Sequence, residues 1–137
     1  MSDFIIRKQD WSKYGIKKYG VMDTLTPYQF HIIWCHDIGS VRNTEKFTDL
    51  YECDVPDLIG VNGLTSFNKS VSEICIFLSS TDVGIIAHEA LHGVLLMYCN
   101  GVTQVPVADE SSELFAYALQ HLIYKIVKTI GSEEICI

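Results

Sequence analysis

The stretch from Val83 to Tyr98, VGIIAHEALHGVLLMY, constrains this 137-residue chain more than any other. It is an apolar run of helical character that carries His88, Glu89 and His92 in the pattern HExxH. Side chains four apart stand one above the other on a helix, so two imidazoles at this spacing can grip one metal ion. Glu89 is rotated by about 100° from His88, which lets it reach a water on that metal without being a ligand itself.

Zinc held by three protein ligands, with the fourth position open, lowers the pKa of its water toward ~7, and a nearby carboxylate can then take the proton. The pattern points to zinc-dependent hydrolysis, most often of a peptide bond. The competing reading is a core helix with two incidental histidines. The strongly helical, apolar setting weighs against it, and so does a candidate third ligand downstream.

That candidate lies on a second helix, which the sequence starts at Asp109 and stops at Gly131. Asp109, Glu110 and Glu113 at its start, with Lys125 and Lys128 near its end, agree with the helix dipole. Leu114, Ala118, Leu122 and Ile126 are expected to form its core face. Two helices joined by about ten residues can pack as an antiparallel pair. His92 lies roughly 10 Å before the end of the first helix and Glu113 roughly 6 Å into the second, a difference that the loop can absorb.

The expected site is therefore His88, His92 and Glu113 around one Zn²⁺ per chain, an open His2Glu set whose mixed donors suit zinc. Glu110 is the alternative metal ligand. It shares a face with Glu113 but sits in the first turn, where acids serve the dipole, as Glu113 would without the histidines. Glu113, Tyr117, Gln120, His121 and Tyr124 fall on one stripe at helical spacing. If Glu113 faces the metal, Tyr117 or His121 can hydrogen-bond an oxyanion or contact substrate. Taken singly, each of these residues reads more simply as part of an amphipathic edge.

The net charge of −7 and pI near 5.0 argue against non-specific nucleic-acid or anionic-membrane partners. A composition with 48% hydrophobic and 20% charged residues is that of a globular protein, and the length suits one domain over residues 1–137. The amino terminus shows no long apolar segment of the secretory kind, and Val83 to Tyr98 is too short and too polar at its middle to span a bilayer. Five cysteines, an odd number with no CxxC pair, suggest neither a disulfide framework nor a thiolate zinc site. Cys35, Cys75 and Cys99 read as small buried hydrophobes, and a reducing cytoplasm is the expected compartment.

Elsewhere, Phe4 to Arg7 reads as a short strand. Asp10 reads as the N-cap of a helix over Trp11 to Lys18, broken by Gly15 and stopped at Gly20. After a turn at Thr24 to Pro27, Tyr28 to Cys35 reads as a buried strand. His31 within it is expected to be a satisfied sheet histidine, and His36-Asp37 to be turn chemistry rather than an orienting pair. Asn43 or Thr44 caps a short helix to about Tyr51, and Leu58 to Phe67 reads as a turn or irregular strand. Val71 to Leu78 is the clearest strand, with Ile74, Ile76 and Leu78 facing one way. Ser79 to Asp82 offer N-caps to the metal helix, which is expected to end at Asn100-Gly101.

The sequence IAHEALH followed by ESSELFAYALQHL resembles the zincin metallopeptidases, specifically the gluzincin arrangement in which a Glu on a later helix completes the HExxH site. It is also similar to small phage-encoded metallopeptidase-like proteins that carry HExxH and then a Glu just before a Phe-Ala-Tyr run, here Glu113 ahead of Phe115-Ala116-Tyr117. The resemblance covers about Val71 to Tyr124. It implies that the strand before the metal helix, Val71 to Leu78, forms a substrate-binding edge. The chain lacks the NExxSD pattern of thermolysin-type enzymes and is too short for their second subdomain, so the resemblance supports a zinc site better than any substrate.

The expectation is an α+β, minimal zincin-like domain, with a small twisted sheet packed on the metal helix and the ligand helix. Its expected function is that of a zinc metallopeptidase acting on a peptide or protein substrate, with Glu89 as general base. One alternative is a catalytically weak or inactive zincin-fold module that binds a partner protein, for instance a host factor. Another is a zinc hydrolase of some other amide.

Overall fold

The computed structural model describes residues 15–24, 26–35, 38, 62–68, 72–99 and 109–131. The two most apolar segments take the centre of the sheet. QFHIIWC and EICIFL are near-continuous runs of β-branched and aromatic residues, the composition of strands buried on both faces. They form β2 (Gln29–Cys35) and β4 (Glu73–Leu78), paired in parallel. β1 (Ile16–Asp23) and β3 (Gly63–Asn68) flank them antiparallel, giving a mixed sheet of order β1-β2-β4-β3. The β1–β2 hairpin is tied by Thr24, whose Oγ1 accepts from the Thr26 amide at 3.1 Å and donates to the Tyr28 carbonyl at 2.8 Å.

One expectation is corrected here. Ile16 to Lys18 belong to β1 and not to a helix ending at Gly20, because Ile16 to Asp23 pair with β2 along its length. Helix propensity over one short, Gly-broken segment is a weak preference beside a ladder that satisfies the backbone of a buried strand. Gly20 lies inside the strand, where Thr129 leans so close that a Cβ would collide with it. Within Leu58 to Phe67, read as a turn or an irregular strand, the strand reading holds from Gly63, and Gly63 to Asn68 pair regularly with β4.

The helices are α1 (Val83–Cys99) and α2 (Asp109–Ile130). Asp82 caps α1, its Oδ1 accepting from the amides of Gly84 at 2.7 Å and Ile85 at 3.2 Å. Gly131, at φ 102°, ends α2 in the left-handed conformation that suits glycine.

Both helices pack on one face of the sheet. Ile86, Ala90, Val94 and Met97 of α1 and Leu122, Ile126 and Ile130 of α2 join Phe30, Ile32, Trp34, Ile74, Ile76 and Leu78 in one buried cluster. α1 lies over β3 and β4, and α2 lies over β1 and β2. Leu114, expected in the core, is 61% exposed, while Phe115 packs against the cluster. The face of α2 is set by Phe115, Ala118, Leu122 and Ile126, and Leu114 stands about 100° off it.

The other face of the central strands is buried too, through His31, Ile33, Cys35, Cys75 and Phe77. Cys35 and Cys75 are buried, and the Cys35 Sγ donates to the Leu78 carbonyl at 3.5 Å. His31 is bonded through Nδ1 to the Tyr19 hydroxyl, and its Nε2 lies 3.7 Å from Glu73 Oε2. The architecture is α+β. No helix among the described residues is long and apolar enough to cross a membrane. The strand read at Phe4 to Arg7, the helix read to Tyr51 and the pair His36-Asp37 lie outside the described residues.

Candidate metal centre

The flanks of α1 have different neighbours. With Ile86, Ala90, Val94 and Met97 turned to the core, the 100° step per residue puts Glu89 on the flank that meets β3. Glu89 is 6% exposed, and the Thr65 hydroxyl donates to its Oε1 at 2.8 Å. The same hydroxyl lies 3.1 Å from the Glu89 carbonyl oxygen. Gly63 runs against this side chain so closely that a Cβ there would lie 2.7 Å from Glu89 Cγ and 2.9 Å from Oε2.

His88 and His92 turn outward beside it and are exposed. Their Nε2 atoms are 3.1 Å apart, with ring planes inclined at 77°. Glu89 Oε2 is 4.0 Å from His88 Nε2. A metal about 2.05 Å from each of two such nitrogens would subtend roughly 100° between them, close to a tetrahedral angle. The separation of the imidazole nitrogens is thus compatible with two zinc ligands, and a Glu89 carboxylate oxygen lies 4.0 Å from one of them.

Shallow depressions lie on either side of Glu89. One, of about 370 Å³, is lined by Gly63, Leu64, Thr65, Glu89, His92 and Leu96. The other, of about 390 Å³, has Asn62, Gly63, Asp82, Gly84, Ile85, His88 and Glu89 around it. Both follow β3, which is the edge of the described sheet on the α1 side. The segment expected at the edge, Val71 to Leu78, supplies β4, which is interior, between β2 and β3.

The structure does not bring Glu113 to the histidine pair. Leu122 of α2 packs at Gly93, its Cδ2 3.3 Å from where a Cβ would stand, and the Phe115 ring lies 6.2 Å from that of Tyr98. Glu89 and Tyr98 are nine residues apart, half a revolution of the helix, so α1 stands between β3 and α2. Glu113, nine residues before Leu122, is half a revolution from the core face of α2 and about 13 Å along its axis. It is exposed there. Among the described residues no three His, Cys, Asp or Glu side chains gather around one point. The side chain of Glu110 lies outside the described residues.

Tyr117 and His121 are on the α2 flank as well. They line a groove of about 480 Å³ with Met22, Met97, Tyr98 and Leu114, and not the surroundings of His88 and His92. Sequence reasoning missed Gly63 and Thr65. The one signal for them is strand alternation, which puts Gly63 and Thr65, paired with Leu78 and Ile76, on the helix-bearing face. No protein-family model, curated protein or solved structure matches the chain.

Proposed function

We propose that the chain is a zinc-dependent metallopeptidase of the zincin kind, acting on a peptide or protein substrate, with neither nucleic acid nor membrane as partner. The observation that carries this reading is the imidazole pair, with His88 Nε2 and His92 Nε2 3.1 Å apart on the exposed side of α1 and Glu89 Oε2 4.0 Å from His88 Nε2. His88 and His92 would hold the zinc through Nε2. Zinc bound there would supply Lewis acidity, lowering the pKa of a water toward neutrality and polarising a carbonyl. Glu89 takes the water's proton at Oε2 and delivers it to the nitrogen of the departing amine, so the carboxylate ends the cycle unchanged. An extended substrate can lie along β3, where backbone pairing with an edge strand gives affinity with little demand on side chains. A reducing cytoplasm, suggested by an odd number of cysteines with no CxxC pair, is the proposed compartment.

Elemental analysis of the wild type, His88→Ala, Glu110→Ala and Glu113→Ala, each shown to be folded, tests the metal. About one zinc per wild-type chain, lost in His88→Ala, is expected. Glu113→Ala is expected to keep its zinc, since its carboxylate points to solvent on the far flank of α1. No zinc in the wild type after reconstitution would sink the reading.

The second reading, a zinc-holding module that binds a partner protein without cutting it, is favoured by one observation: the described residues gather two imidazoles and no third ligand. Glu89→Gln separates the two. In a peptidase it abolishes cleavage of a peptide panel with zinc retained, whereas partner binding by a non-cutting module is unaffected. A panel that also holds other amides shows whether the bond cleaved is a peptide bond.

A further inference from the structure

We infer that Thr65 positions Glu89, and that Gly63 is the bare stretch of backbone that lets it do so. A glutamate on a helix surface turns about three side-chain torsions and loses entropy when it is held. Here β3 touches Glu89 at two points. The Thr65 hydroxyl grips Oε1 at 2.8 Å, and Gly63 lies flat against Cγ and Oε2. With Oε1 engaged, Oε2 is the oxygen left beside His88 Nε2, at 4.0 Å.

The hydroxyl carries one proton and has two acceptors in reach. The carboxylate is the nearer and the charged one, and the carbonyl of Glu89 already serves the helix ladder, so the proton goes to Oε1. Thr65 is a positioning residue, acting on the reaction through Glu89. A side chain at position 63 would occupy the place of the carboxylate, so the gap and the grip form one device on one strand. The consequence for catalysis rests on the peptidase reading; the orientation of Glu89 does not.

The test therefore has two readouts. In metal-free, isotopically labelled protein, three-bond couplings across χ1 of Glu89 report whether it keeps one rotamer. One rotamer is expected in the wild type and in Thr65→Ser. Averaged or altered couplings are expected in Thr65→Val and Gly63→Ala, with the remaining amide spectrum superposing on the wild type. Thr65→Ala repeats the measurement should the valine methyl disturb the sheet. In zinc-loaded protein, Thr65→Val is expected to lower kcat roughly ten- to a hundredfold with KM and zinc content kept, and Thr65→Ser to restore most of it. Unchanged Glu89 couplings in folded Thr65→Val and Thr65→Ala would overturn the inference. A wild type that cleaves nothing would instead count against the peptidase reading, while the couplings still decide the role of Thr65.

Discussion

Glu89, His88 and His92 are near neighbours on one helix, and helical spacing alone brings them within reach of one another. That is why the sequence could name them. Thr65 could not be named in the same way, because its partner is 24 residues away and meets it only across the strand–helix packing. Asp82 is an intermediate case. The cluster Ser79-Ser80-Thr81-Asp82 marks a helix start, but only the structure shows which oxygen takes the amides of Gly84 and Ile85. Asp82→Ala should cost about 1 kcal/mol of stability, since two first-turn donors lose their acceptor. Denaturant unfolding of folded protein measures this, and an unchanged midpoint would mean that another group of the cluster caps the helix equally well.

The elements were legible where their hydrophobic pattern was strong. β2, β4 and both helices follow from apolar runs of definite period and from the stops at Gly131 and after Cys99. β1 departs from the helix expected up to Lys18 because its segment has mixed polarity, with Gly15 just before it and Gly20 inside it. Its conformation is decided by the open edge of β2, which lies outside the segment itself. On α2, Ala118, Leu122 and Ile126 take the core face expected of them while Leu114 does not, and this has a measurable consequence. Leu122 is fully buried between α1 and the sheet, whereas Leu114 is mostly exposed. Leu122→Ala should destabilise the protein by roughly 2–5 kcal/mol. Leu114→Ala should stay within about 0.5 kcal/mol of the wild type. Paired melts of the two variants test the packing, and equal losses would contradict the helix orientation that carries Glu113 away from the histidines.

At the scale of the molecule, the central strands β2 and β4 are buried on both faces, and the face away from the helices holds ionisable groups. Burial pushes the His31 imidazole from its ordinary 6.5 down to about 4, against an opposing pull from Asp23. Burial, with Cys75 and Glu73 adding to it, pushes the Tyr19 phenol above its ordinary 10. For His31 the sign is definite. The unfolded chain takes up a proton near pH 6.5 and the native protein only near pH 4, so between these values the unfolded state binds more protons. Stability should therefore fall as pH drops from about 6.5 to 4, by up to about 3 kcal/mol from this residue. Unfolding free energies of the wild type and His31→Gln across that window test it; parallel curves would remove His31 from the account.

The sequence by itself determined the histidine pair of the HExxH pattern, the carboxylate beside it, the two helices and the two central strands. Each of these depends on residues within a turn or a few positions of one another, where spacing fixes direction. Only the tertiary structure decided which strand faces Glu89, which flank of α1 meets α2, and hence that β3 contributes Thr65 and Gly63 while Glu113 faces solvent. Those outcomes depend on how buried surfaces from distant segments fit one another, and no local spacing encodes that.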